Sequence, residues 1–137
     1  MTEALRHRRD DGASAVEFAL VAGILVLLLV GIVQFGFLFF QWLEVTHAAR
    51  EGVRWAALGN PEGEVVVKAQ AAAPGLDWDD NGTVAVSYPD GSDNPGNPVR
   101  VAVTYDTPLF APLMQDILGV GGATTFTLRS AAVQRIE

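Results

Sequence analysis

The sequence predicts an α+β protein, in which a long amino-terminal transmembrane helix continues into a small antiparallel sheet domain. Three observations carry this. From Phe18 to Phe40 the only side chain that is neither apolar nor glycine is Gln34. The next eighteen positions, 41–58, turn amphipathic with helical spacing. Beyond Gly59 come three runs of alternating Val, Thr, Tyr and Phe, the period of half-buried strands.

The apolar run of 23 residues would measure roughly 34 Å as a helix, enough to cross a hydrocarbon core of about 30 Å. A removable secretory signal would have a shorter apolar core followed by a small-x-small cleavage site, whereas this one runs straight on into "FLFFQWLEVTHAAR". Arg6, Arg8 and Arg9 precede the span, so the positive-inside rule places the amino end in the cytoplasm and the carboxyl end outside, with membrane lipid around 18–40. The helix should start near Ser14, because Ser14-Ala15-Val16-Glu17 fits a capping box in which serine and glutamate each satisfy a free backbone N–H. Ala15, Ala19 and Gly23 recur every four residues, a spacing that lets membrane helices approach closely, although small residues are frequent here.

In the extension 41–58, Val45, Ala49, Val53 and Ala56 gather with Trp42 on one side, and Glu44, His47, Glu51 and Arg54 on the other. His47 with Glu51 and Glu51 with Arg54 are spaced to pair along the wet face, and Gly59-Asn60-Pro61 stops the helix. The exported part, 59–137, begins with a short helix over Gly63 to Ala73. Strands are expected over Thr83 to Tyr88, Val99 to Tyr105 and Thr125 to Gln134, the first two joined as a hairpin by the turn-forming "PDGSDNPGNP". The stretch "TPLFAPLMQDILG" reads as a short apolar helix or lid. One sheet face would then receive the outer half of the long helix, with Trp42, Val45, Ala49 and Val53 meeting Val84, Val86, Val101 and Val103.

Gly12 and Ala13, followed by a glutamate at the fifth position of the chain that starts at Ala13, resemble the processing site of type IV pilin-like precursors. More narrowly, "GASAVEFALV", Gln34-Phe35-Gly36 and then Ala48-Ala49-Arg50-Glu51 with Arg54 resemble the TadE-like proteins, pseudopilins of the tight-adherence (Flp) pilus system. The resemblance covers the first 58 residues; beyond them it extends only to pattern, including Arg135 and Glu137 near the end. It implies a pilin-like fold, a cytoplasmic leader of residues 1–12, and a prepilin peptidase that cuts after Gly12. It also implies a bacterial cytoplasmic-membrane location and partners among other pilins and the inner-membrane assembly platform. Glu17 would then neutralise the freed amino terminus of a neighbouring subunit, a task beyond capping, since an unmatched carboxylate in an apolar bundle is costly.

The chemistry that remains is sparse. A net charge of −7, from 16 acids and 9 bases with the acids concentrated after Gly59, argues against nucleic acid. With no cysteine, and with only His7 and His47 well apart, no nucleophilic triad or histidine metal cluster assembles, so an enzyme is not expected. Asp77, Asp79 and Asn81 before Gly82 match the first half of a calcium loop, but Tyr88 stands where the closing glutamate belongs; an ordinary Asp/Asn/Gly turn explains the same residues. No cofactor is expected, calcium at that turn excepted. The sequence therefore points to a minor pilin or pseudopilin, with an uncleaved, membrane-anchored binding module for calcium or a protein partner as the alternative.

Overall fold

The computed structural model describes residues 3–108 and 125–137. It is α+β, as the sequence predicts. The chain divides into two compact units, Met1–Gly36 and Phe37–Glu137. Helix α1, Glu3–Ala57, runs through both. It is the one helix among the described residues that is long and apolar enough to cross a membrane. Its start differs from expectation. Residues upstream of Ser14 are mostly good helix formers, so the helix begins at Glu3 and the capping box is not built. Inside a helix each amide already has the carbonyl four residues back, and Ser14 and Glu17 have no free N–H to satisfy.

In the first unit the apolar side chains lie open: Phe18, Leu20, Ile24 and Leu25 are all more than 60% exposed. Such a surface suits lipid as solvent. The second unit holds α1 from Phe37 onward, α2 (Glu62–Ala71), α3 (Trp78–Asn81), and strands β1 (Gly82–Ser87), β2 (Pro98–Pro108) and β3 (Thr125–Arg135). The strands form one antiparallel sheet in the order β1-β2-β3. Cross-strand rows such as Val84↔Val103 and Tyr105↔Leu128 set the register. The β1–β2 connection turns at Gly91 and Gly96, whose φ of 74° and 90° lie in the region glycine adopts without strain. The apolar run 109–119, read from the sequence as a helix or lid, lies outside the described residues.

The core is the seam between α1 and β2. Period two places Val99, Val101, Val103 and Tyr105 on one sheet face, all buried, while Arg100 and Asp106 point away. Opposite them α1 presents Val45, Ala48, Ala49, Val53 and Ala56. Val84 and Val86 pack against this cluster half-buried, as residues of an edge strand do. Trp42 does not join it. The buried face centres on Val45, Gly52 and Ala56, and Trp42 falls ~60° to one side on a helix of 3.6 residues per turn. It stays 44% exposed and stacks on Phe39 at 5.9 Å, while Leu38 packs on the core instead.

Gly52 fixes how near α1 comes. A Cβ built there would lie 3.0 Å from Val101 Cγ1 and 3.1 Å from Ala69 Cβ, so this point touches both β2 and α2. Gly52→Leu should therefore destabilise the second unit by about 1–3 kcal/mol through overpacking. Pairing it with Val101→Ala should recover part of that loss, which a double-mutant cycle on thermal unfolding will read; additive effects would place the contact elsewhere.

Candidate assembly surface

Most of the candidate functional residues lie along α1. Gly12, Ala13, Ala15, Glu17, Ala19 and Gly23 are all exposed on the helix. Cβ atoms built at Gly12 and Gly23 would meet nothing within 4 Å, so the backbone there is open to a neighbouring helix or an enzyme. Helical spacing puts Ala15, Ala19 and Gly23 on one side, the arrangement close helix packing requires.

Further along, Ala48, Ala49, Arg50, Glu51 and Arg54 divide by direction. Ala48 and Ala49 are fully buried in the seam, while Arg50 and Arg54 stand exposed. Glu51 lies between. Its Oε1 accepts from Trp55 Nε1 at 3.0 Å, and its Oε2 is 3.8 Å from Arg54 Nη1, the i,i+3 pair expected from sequence. The expected His47–Glu51 pair does not form. His47 Nδ1 instead lies 2.8 Å from the Ala72 carbonyl, and because a carbonyl only accepts, that nitrogen carries the proton. Ala72 caps the end of α2, where helix carbonyls lack internal partners, so the histidine meets a real need there.

Trp55 is half-buried at the centre of a small cluster. Lys68 Nζ sits 4.7 Å from the centroid of its ring, and Asn60 Nδ2 donates to its carbonyl at 2.9 Å. Together these tie α1 to α2 and to the turn after α1. The far end of β3 is tied down as well: the Glu137 amide donates to the Ala57 carbonyl at 2.9 Å. Arg50 and Arg54 thereby line a cleft of roughly 500 Å³ with His47, Glu51, Leu58 and Glu137.

The turn with the calcium pattern takes another form. Asp77 is the N-cap of α3, its side chain accepting from the Asp79 amide, and Asp79 and Asn81 lie within that helical turn. Among the described residues no three His, Cys, Asp or Glu side chains gather as metal ligands. Gly82 serves packing: a Cβ there would lie 2.5 Å from Trp78 Cε3, so the six-membered ring of the indole lies against the glycine. That indole donates to the Ala73 carbonyl at 3.1 Å and meets Tyr105 edge-on, with ring centroids 6.4 Å apart.

The segment that holds the open amino-terminal positions and the Ala48–Arg54 motif is also the one with known relatives. Residues 12–54 match the TadE-like protein family. None of the curated proteins and none of the solved structures searched matches the chain. The TadE-like segment thus spans α1 from its open small residues to the motif that docks on the sheet, and stops short of α2 and all three strands. Gly52, inside the match, is the motif residue that sequence reasoning passed over; its only local sign is a lone glycine in an alanine-rich helix.

The two halves of the motif should respond unequally to substitution. Ala49→Leu is expected to destabilise by about 1–3 kcal/mol through overpacking, whereas Arg50→Ala should change stability by less than about 0.5 kcal/mol. Denaturant unfolding followed by circular dichroism separates them; equal effects would contradict this assignment.

Proposed function

We propose that this chain is a pseudopilin of a tight-adherence pilus: a single-pass subunit with its amino end in the cytoplasm, cut after Gly12 by a prepilin peptidase. It then associates with other pilins and the inner-membrane assembly platform. The match of residues 12–54 to the TadE-like family carries this reading, and the membrane-length helix supports it. The chain contributes shape and contacts to an assembly; catalysis is no part of the proposal.

Cleavage would change what Ser14 and Glu17 do. In the uncut chain the amides following Gly12 take their carbonyls from the helical residues before it. Removing those residues leaves the first amides of the new helix without partners, and only then can the Ser14 hydroxyl and the Glu17 carboxylate cap them. The cut also creates a positive amine on Ala13. In a lipid-embedded bundle an unmatched Glu17 is expensive, so a freed amine, its own or a neighbour's, is the partner that would offset the cost. A neighbour's amine makes Glu17 a register mark for assembly.

Mass spectrometry of protein from the native host should find Ala13 as the first residue. A chain intact from Met1 would contradict the proposal and leave a membrane-anchored binding module. Glu17→Gln should leave the helix and its insertion unchanged while lowering piliation ~tenfold or more, the scale set by removing one partner of a buried ion pair; undiminished piliation would mean that the carboxylate serves only as a cap.

A further inference from the structure

The sheet ends in two edges of different character. β3 pairs one to one with β2 along all 11 residues, with no bulge, and its sequence contains no proline, glycine or lysine. Those are among the devices by which edge strands avoid pairing with other chains; the charges β3 does carry are two arginines, which repel a second β3 but suit an acidic edge. Among the described residues nothing pairs with its outer edge. It is also basic: Arg129 and Arg135 are exposed, no acid lies between 125 and 136, and among the described residues neither arginine pairs with a carboxylate. The opposite edge, β1, is bracketed by exposed acids, Asp79 and Asp80 just before it and Asp90 and Asp93 just after.

Chain direction decides which partner β3 can take. Within the second unit the end of α1 meets the end of β3, through Glu137 and Ala57. Gly52 faces Val101. Phe40 lies against Gly75, close in sequence to Asp77, whose amide donates to the Tyr105 hydroxyl at 3.3 Å. The helix therefore runs opposite to β2 and in the same direction as β1 and β3. Two copies joined by antiparallel β3–β3 pairing would have reversed helices, which copies anchored in one membrane through the Phe37 end of α1 cannot adopt. A copy displaced sideways without rotation keeps its helix direction and brings β1 beside β3, parallel to it.

We propose that copies of this chain associate edge to edge, β3 of one adding in parallel to β1 of the next so that a single sheet continues from subunit to subunit. Charge fits this alignment: Arg129 comes toward Asp79 and Asp80 of the next copy, and Arg135 toward its Asp90 and Asp93. The contact is heterologous and leaves a free edge at each end, so it propagates without closing. The inference rests on the membrane-anchored subunit reading above and names the partner as a second copy.

The absence of cysteine from the chain makes the test clean. Ala131→Cys is combined in turn with Thr83→Cys, Ala85→Cys or Ser87→Cys in the full chain, in bacterial membranes, and the membranes are oxidised. Within one copy the two positions are separated by β2, about 10 Å, too far for a disulfide. The expected result is a ladder of dimers, trimers and larger species from at least one double variant, with every single variant monomeric. Arg129→Glu with Arg135→Glu should reduce the ladder several-fold at low salt. Dimers from Ala131→Cys alone, or no ladder from any of the three double variants, would overturn the proposal. Chain masses from the same membranes report cleavage separately: an uncut chain that still forms the ladder contradicts processing and leaves edge pairing standing.

Discussion

The close contact between α1 and β2 is the constraint on which the rest of the second unit depends. Alanine at 48, 49 and 56 and glycine at 52 let a helix backbone approach a row of valines, so Val99, Val101 and Val103 lose all their exposure. Burial of each such side chain contributes about 1.5–3 kcal/mol. A three-stranded sheet needs such a layer to remove one face from water, and among the described residues α1 supplies Val45, Ala48, Ala49, Val53, Ala56 and Ala57 to it, beside Val65 of α2. Several of the described elements attach to this helix: α2 through Ala69 and Trp55, the turn after α2 through His47 and Glu44, and the end of β3 through Ala57.

One helix therefore meets two solvents with two sets of rules. From Gly12 to Gly36 the apolar residues point outward on all sides and small residues mark where another helix could approach. From Phe37 on, the apolar residues collect on one stripe and shrink to alanine and glycine, because the neighbour is now a sheet of the same chain. The TadE-like match covers the junction of these regimes and stops at Arg54, one turn short of the seam's last buried residues, Ala56 and Ala57. That segment encodes a membrane-length rod with a docking face for a small domain.

Much of this was legible because it is periodic. Alternation announced all three strands, and helical spacing placed Val45, Ala49 and Val53 on the buried side. What escaped depended on partners remote in sequence. His47 looked like half of an i,i+4 ion pair, but its partner is a main-chain carbonyl 25 residues away. Trp42 seemed central because a helical wheel has no origin until the sheet supplies one. Gly52 gives no signal in the sequence beyond a lone glycine in a helix, and only Val101 and Ala69 reveal its purpose. Asp77 illustrates a different limit: an aspartate that begins a calcium loop and one that caps a helical turn offer the same oxygen to the same backbone geometry.

If the outer part of α1 is the missing half of the domain's core, residues 59–137 should not fold without it. The direct measurement is guanidinium unfolding, followed by circular dichroism, of two fragments, 37–137 and 59–137. The expected result is a cooperative transition for the longer fragment and none for the shorter, which should also lack protected amides in hydrogen exchange. A cooperative transition for 59–137 at the same midpoint would contradict the dependence of the sheet on the helix.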